Sequence, residues 1–359
     1  MFLRYTHHYG TGDDDFMKIA FYDTKPYDKI WIEPLSAEYG FEIKFFDHKL
    51  NADTAVLATD YEVVCAFVND TISKDVIDIL YRCGVRLIAL RCAGYNNVDF
   101  KSAYRKINVV RVPSYSPAAV AEHAAALMLS LNRRIHRAYV RTRDNNFSIN
   151  GLMGVDLNGK TAGIVGTGKI GRIFIDICKG FGMKVIAYDL YPDKSSDIEY
   201  TDLDSLFEKS DIISLHCPLT PETRHIINGG SLAMMRPNSI IINTSRGGLI
   251  NTQALIEALR SRKIGGAGLD VYEEEEEYFF EDLSNEILVD DELARLLSFP
   301  NVLITSHQGF FTSEAMQAIA EVTIENIRAY EKDEILENEI CYQCNSGCLK
   351  TKGHKRCFY

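Results

Sequence analysis

The sequence predicts an α/β fold built from two parallel-sheet units. Three observations predict it. Short apolar runs alternate with helix-length amphipathic segments from residue 17 onward. That alternation occurs twice, on either side of a long Ala-rich stretch. The chain has 359 residues, 46% apolar and 25% charged, which suits about two domains of ordinary globular composition.

In the first series the apolar runs are KIAFYD (18–23), FEIKFFD (41–47), YEVVCAFV (61–68), VRLIALRC (85–92) and NVVRVP (108–113). Between them lie segments such as Ser73–Gly84, with Val76, Ile77, Ile79, Leu80 and Cys83 at helical spacing. Strand, helix, strand repeated in this way makes a parallel sheet covered by helices. Pro117 to about Val140 then reads as one long helix, opened by Ser116 as cap and Pro117 in the first turn. The second series is TAGIVG (161–166), KVIAYD (184–189), DIISLHC (211–217), SIIINTS (239–245), GAGLDV (266–271) and NVLITS (301–306). A helix over Ser313–Tyr330 follows and can return to the first unit.

Charge and composition exclude several functions. Thirty-nine cations against 50 acids leave a net charge of −11 with no basic block, so a nucleic-acid partner is not expected. No run approaches the ~18 apolar residues of a membrane span. Met1–Phe16 lacks the apolar core of an export signal and carries three consecutive acids, which points to the cytoplasm. Cys65, Cys83, Cys92, Cys178 and Cys217 are scattered through apolar stretches, as buried thiols are in a reducing compartment.

The strongest local signal is Gly166-Thr167-Gly168-Lys169-Ile170-Gly171, placed after an apolar strand and before a helical segment. The first glycine permits a tight turn, the second lets the backbone approach a pyrophosphate, and the third brings helix and strand together. Asp189 ends the next strand, eighteen residues after Gly171. A carboxylate there accepts from a ribose and repels a 2′-phosphate, and no Arg or Lys follows immediately, so NAD is favoured over NADP.

Three ionisable residues fall where strands of this second unit end: Arg246, Glu275 and His307. A 2-keto acid needs such a trio. A guanidinium grips the carboxylate by two prongs, and an imidazolium delivers a proton as hydride arrives. A neighbouring carboxylate orients such an imidazole and favours its charged form.

With these residues in hand, the chain resembles the D-isomer-specific 2-hydroxyacid dehydrogenases, and within them the fermentative bacterial D-lactate dehydrogenases. The likeness runs from Met17 to about Glu339. Its most specific stretches are Leu90–Asp99 (LRCAGYNNVD), Asn132–Phe147, Val165–Gly171, Ser214–Thr220 (SLHCPLT), Asn243–Gly248 and Ser306–Phe311 (SHQGFF). The resemblance implies two Rossmann-like or flavodoxin-like domains with the active site in the cleft between them. It implies Arg246 as the substrate-carboxylate residue, His307 as proton donor and Glu275 as its partner. The family pattern Asp-aliphatic-aromatic-Glu-x-Glu maps onto Asp270–Glu275, and within this run of acids Glu274 is the alternative.

The same likeness implies that Lys169, Ile170, Cys217, Pro218, Thr223, Thr244, Ser245 and Asp270 line the NAD site with Gly166, Gly168, Gly171 and Asp189. On the first unit it implies Ala93 and Gly94 as backbone donors to the substrate carboxylate and Tyr115 as a substrate contact. Phe310 becomes an aromatic wall suited to a small methyl ketone. The expected reaction is reversible reduction of pyruvate to D-lactate by NADH, in a homodimer or homotetramer. The alternatives are a larger 2-keto acid, or a catalytically silent NAD-sensing protein that would have no need of a proton donor.

The expected domains are residues 17–114 with 309–340 for substrate and 115–308 for NAD, with 1–16 outside the fold. The last residues hold Cys341, Cys344, Cys348 and Cys357 with His354. A zinc site commonly pairs two Cys-x-x-Cys units, and only one is present, so no metal is expected and 341–359 reads as a disordered, reduced tail. Glu273–Glu277 reads as a solvated loop apart from its catalytic member, and His123 and His216 as structural.

Overall fold

A computed structural model describes residues 16–275, 278–344 and 354–358 of the chain. Five strands come first: β1 Lys18–Phe21, β2 Glu42–Phe45, β3 Val63–Ala66, β4 Leu87–Leu90 and β5 Asn108–Arg111. Six follow the long helix: β6 Thr161–Val165, β7 Lys184–Tyr188, β8 Ile212–Leu215, β9 Ile240–Asn243, β10 Gly266–Leu269 and β11 Val302–Ile304. A short β12, Glu339–Ile340, comes last. The chain divides into two compact units, Met1–Tyr115 with Ser313–Tyr359, and Ser116–Thr312.

The sheet of the first unit has the order β12-β5-β4-β3-β1-β2. Its pairs are parallel except for β12, which runs antiparallel to β5 through Glu339 opposite Val110. β3 and β4 are buried along their whole length, which explains why they read as continuous apolar runs rather than alternating ones. Ile19, Phe21, Val63, Leu87 and Val110 form one core with Ala320, Ile324 and Ile327 of the helix Ser313–Glu331. Each such aliphatic side chain contributes about 1.5–3 kcal/mol through burial.

The C-terminal residues depart from the disordered tail that their sequence suggests. Cys357 and Phe358 are buried, and Phe358 packs edge-on against Tyr104 with ring centroids 5.5 Å apart. The amide of Cys357 donates to Glu339 Oε2 at 2.8 Å, and Leu336 N donates to the Lys355 carbonyl at 3.1 Å. Aromatic and backbone contacts therefore anchor this segment to the first unit. Cys348 and residues 1–15 lie outside the described residues.

The second unit has the order β11-β10-β9-β8-β6-β7, all parallel. The strand order reverses at β6, whose neighbours are β7 and β8, and that crevice is where ligands bind on open α/β sheets. The helix Pro117–Arg133 starts where Ser116 Oγ accepts from Ala119 N at 3.2 Å. Its small face, Ala121, Ala124 and Ala125, lets it lie close to the sheet with Leu127, Met128 and Leu131 in the core. Gly268 of β10 makes room for it, since a Cβ there would come within 2.9 Å of Leu131.

Candidate active site

The turn after β6 shows why glycine is needed at two of its positions. Gly166 has φ +97°, and a Cβ on it would meet Cys217 N at 2.6 Å; a Cβ on Gly171 would meet the Gly166 carbonyl at 2.1 Å. Gly168 differs, since it is exposed and a side chain there would meet nothing within 4 Å. The helix Lys169–Gly180 begins at Gly168 with no side chain capping its amides. An uncapped helix N-terminus beside an open glycine suits a pyrophosphate. Lys169 is exposed and Ile170 half-buried at that first turn.

Asp189, just past β7, faces the same turn. Its Oδ2 accepts from Thr167 N at 2.7 Å and Thr167 Oγ1 at 3.0 Å, and its Oδ1 accepts from Tyr191 N at 2.9 Å. Burial works against its ionisation, but the amides of Thr167 and Tyr191 and the nearby Arg172 outweigh that and hold its carboxyl below the ordinary range. Asp189 is thus a fixed negative charge at the strand end.

Across the sheet, Cys217 is buried and its thiol is pushed up to about 11 by that burial, so it remains protonated and inert. Its carbonyl accepts from Ser245 Oγ at 2.7 Å. Thr223 Oγ1 donates to the Pro218 carbonyl at 2.7 Å, closing the turn that follows. Thr244 Oγ1 is buried with no hydrogen-bond partner. A buried hydroxyl left without a partner is costly, and an amide or hydroxyl of a bound dinucleotide would satisfy it. The open Gly168, the uncapped helix and this orphaned hydroxyl fit NAD.

Arg246 leads from β9 into the turn Gly247–Leu249. Asn243 Nδ2 holds its carbonyl at 2.8 Å, and its own Nη1 donates to the Ser245 carbonyl at 2.6 Å. A Cβ on Gly247 would come within 2.0 Å of the Tyr272 carbonyl, so the chain must be glycine there to bring Arg246 against the β10 loop. Among the described residues the half-buried guanidinium pairs with no carboxylate, which leaves it available to an anion.

His307 sits just past β11 with φ +53°, a conformation uncommon outside glycine. Asp270 at the end of β10 holds it there. The Asp270 carbonyl accepts from His307 N at 2.7 Å. Its carboxylate accepts from Thr305 Oγ1 at 2.6 Å, Gln308 N at 2.9 Å and Gly309 N at 2.8 Å. His123, from the long helix, places Nε2 3.0 Å from Thr305 Oγ1 and 3.2 Å from Asp270 Oδ1. Both oxygens of Asp270 are therefore engaged in shaping the histidine loop.

The structure brings Glu275, and not Glu274, to the histidine. Glu275 Oε1 lies 2.8 Å from His307 Nδ1, while Oε2 accepts from Tyr272 N at 2.9 Å; Glu274 is exposed. A carboxylate can only accept, so Nδ1 carries the proton and Nε2 is the free ring nitrogen. Glu273 is not a solvated acid as its run suggests: its carboxylate meets His225 Nε2 at 2.6 Å, Arg224 at 3.1 Å and Thr252 Oγ1 at 3.2 Å. These contacts tie the acidic loop to Arg224 and His225 and to the first residue of the helix Thr252–Arg260. Glu276 and Glu277 lie outside the described residues.

Sequence reading misses Phe280. Its ring lies 5.8 Å from the His307 imidazole and 6.4 Å from Phe310, which is itself buried. Only the aromatic run Tyr278-Phe279-Phe280 directly after the acids signals it. In the first unit, the Ala93 carbonyl accepts from Arg111 Nη1 at 2.7 Å, and the Gly94 carbonyl lies 3.2 Å from Cys92 Sγ. Tyr115 is half-buried at the end of that unit's first segment.

Comparison with known proteins matches this geometry to a family. Residues 125–309 match the model for the D-isomer specific 2-hydroxyacid dehydrogenase, NAD binding domain. The D-lactate dehydrogenase of Escherichia coli strain K12 is 52% identical over 328 residues, 90% of this chain and 100% of that one. Its apo structure superposes with a TM-score of 0.83, at 50% identity and covering 90% of this chain and 100% of that chain. The pyruvate reductase of Chlamydomonas reinhardtii superposes with a TM-score of 0.85 at 44% identity, covering 90% and 98%.

Proposed function

The chain belongs to the D-isomer specific 2-hydroxyacid dehydrogenases and is an NAD-dependent oxidoreductase; from that premise we propose that it reduces pyruvate reversibly to D-lactate. The observation that carries the proposal is the Glu275–His307 pair, together with an Arg246 that pairs with no carboxylate among the described residues, both just past strand ends of one NAD-binding sheet.

Bound NADH supplies the hydride. Arg246 holds the substrate carboxylate by two parallel N–H donors and draws charge toward the neighbouring keto oxygen. His307 gives its Nε2 proton to that oxygen as negative charge develops on it. Glu275 accepts from Nδ1 throughout, so the ring stays oriented and its positive charge is compensated. In the reverse direction the neutral Nε2 takes the proton from the hydroxyl of D-lactate. Asp270 sets the height and tilt of the loop that carries His307. Asp189 selects a free ribose hydroxyl and repels a phosphate in its place.

Phe280 lies beside His307 and packs on Phe310, an aromatic cluster that favours a small methyl ketone over a bulky one. The test is the rate of NADH oxidation against pyruvate, 2-ketobutyrate, 2-ketoisocaproate and phenylpyruvate. Highest kcat/KM with pyruvate supports the reading. Preference for a bulky acid moves the substrate and keeps the mechanism, and tight NADH binding without turnover overturns it.

The partner in this reading is a second copy of the chain. Ile135, Tyr139, Val140, Phe147, Ile149, Met153 and Val155 are all exposed within one short stretch, and the helix Ile135–Arg143 buries none of its residues. An apolar surface of that extent is the usual mark of a contact between proteins, and a symmetric homodimer or homotetramer covers it. Light scattering on the purified chain gives the oligomer mass; a monomer removes this part of the reading.

A further inference from the structure

The four-residue spacing Cys341-x-x-Cys344 supplies two thiols, and the fold supplies a third. Cys341, Cys344 and Cys357 place their sulfur atoms within 4.8 Å of one another, although Cys357 is sixteen positions from Cys341 in sequence. Cys341 Sγ and Cys344 Sγ are 3.8 Å apart. Thiolates bound at ~2.3 Å to one tetrahedral ion lie ~3.8 Å apart, so this pair already has the separation that zinc imposes. It is too long for a disulfide, whose sulfurs lie ~2.05 Å apart.

Backbone amides point at the same sulfurs. Gln343 N donates to Cys341 Sγ at 3.4 Å, and Cys341 N donates to Cys344 Sγ at 3.0 Å. Such N–H donors stabilise thiolates and orient them, as outer partners do around a metal. Cys357 is held from its own backbone, through the bond from its amide to Glu339 Oε2, and Glu339 Oε1 in turn accepts from Asn108 Nδ2 at 2.5 Å. Tyr104 and Phe358 pack over the three cysteines, and Tyr104 Oη donates to Gln343 Oε1 at 2.9 Å. The result is a braced trio, Cys357 buried and Cys341 and Cys344 half-buried, on the β12 edge of the first unit's sheet.

We propose that Cys341, Cys344 and Cys357 form a structural metal site for zinc, with the fourth coordination position filled by a ligand outside the trio. The ion clasps the chain terminus to the β12–β5 edge. Three soft thiolates select zinc or another thiophilic ion over magnesium or calcium. Each thiol loses its proton on binding, so occupancy falls in acid. This site is independent of the dehydrogenase reading, and its chemistry is structural.

The test uses the full chain, purified without added zinc or chelator, with metal counted by mass spectrometry against protein. About one zinc per chain is expected, with release on thiol modification. Cobalt exchanged into the same chain should give the near-ultraviolet thiolate-to-cobalt band and tetrahedral visible bands. Cys341→Ser, Cys344→Ser and Cys357→Ser should each lose metal, while Cys83→Ser keeps it. If the serine variants fail to fold, the cobalt spectrum of the unaltered chain decides. Less than about a tenth of an ion per chain together with no thiolate band overturns the site. A Cys341–Cys344 disulfide in peptide maps of protein kept reduced overturns it as well. Chelation should also lower the melting temperature by several degrees without changing NADH affinity.

Discussion

His307 Nδ1 and Glu275 Oε1 lie 2.8 Å apart, and the other oxygen of that carboxylate is tied to the Tyr272 amide. The carboxylate is held at both ends, so the imidazole it grips has one orientation. His307→Gln keeps the size of the side chain and removes the transferable proton. It should lower kcat by about 10²–10⁴-fold. Glu275→Gln should lower kcat less, because an amide still meets the ring but cannot compensate an imidazolium. NADH affinity, read by fluorescence titration, should stay within about two-fold for both. Unchanged turnover in His307→Gln would falsify the proton-donor role.

Arg246 predicts a different signature. Arg246→Lys keeps the charge and loses the planar fork, which cannot be replaced at a two-pronged contact. The loss in kcat/KM for pyruvate should be about 10²–10³-fold, or about 3–4 kcal/mol of transition-state stabilisation. NADH binding should be unaffected. Steady-state kinetics with both substrates varied checks it; a loss confined to the KM for NADH contradicts the assignment.

Asp189 is held charged by Thr167 and Tyr191, and a fixed carboxylate repels the 2′-phosphate of NADPH. Asp189→Ser removes that charge. The ratio of kcat/KM for NADH over NADPH should fall by at least about ten-fold, a change of about 1.4 kcal/mol. An unchanged ratio means that another group sets the preference.

Much of this site is legible in the sequence because single residues carry strong local demands. Gly166 and Gly171 cannot be replaced without a clash, so their spacing reports a particular turn. Arg246 and His307 stand directly after apolar strands, where an α/β sheet puts its ligands. The rest depends on contacts that sequence order does not encode. Within Glu273–Glu275 a shift of two residues changes a structural ion pair with His225 into the partner of His307. His123 reaches Thr305 across 182 positions, and Phe280 meets His307 only after the acidic loop has folded back. Cys357 joins Cys341 and Cys344 because Glu339 and Phe358 seat it, which no spacing rule anticipates.

His216 supplies a pH prediction. Its ring lies 2.9 Å from Ser214 Oγ and 5.1 Å from the Phe174 ring, and burial lowers its pKa from 6.5 to about 4. The unfolded chain takes up this proton as pH falls through 6.5, while the folded chain does so only near 4. Stability from the neutral ring is therefore fully present above pH 6.5 and is lost on acidification toward pH 4, by roughly 3 kcal/mol in all. His216→Gln keeps a group for Ser214 and does not titrate. Urea unfolding at pH 7.5 and pH 5 should show a smaller acid loss in the variant; an equal loss in both contradicts it.

The central claim is that hydride and proton are delivered to the keto carbon and oxygen of pyruvate to make one enantiomer. The most direct measurement follows a single reaction with pyruvate and NADH deuterated at the nicotinamide C4. The account predicts deuterium at C2 of lactate, the D isomer throughout, and loss of the product in His307→Gln. L-lactate, a racemate, or NADH consumption without label at C2 would contradict it.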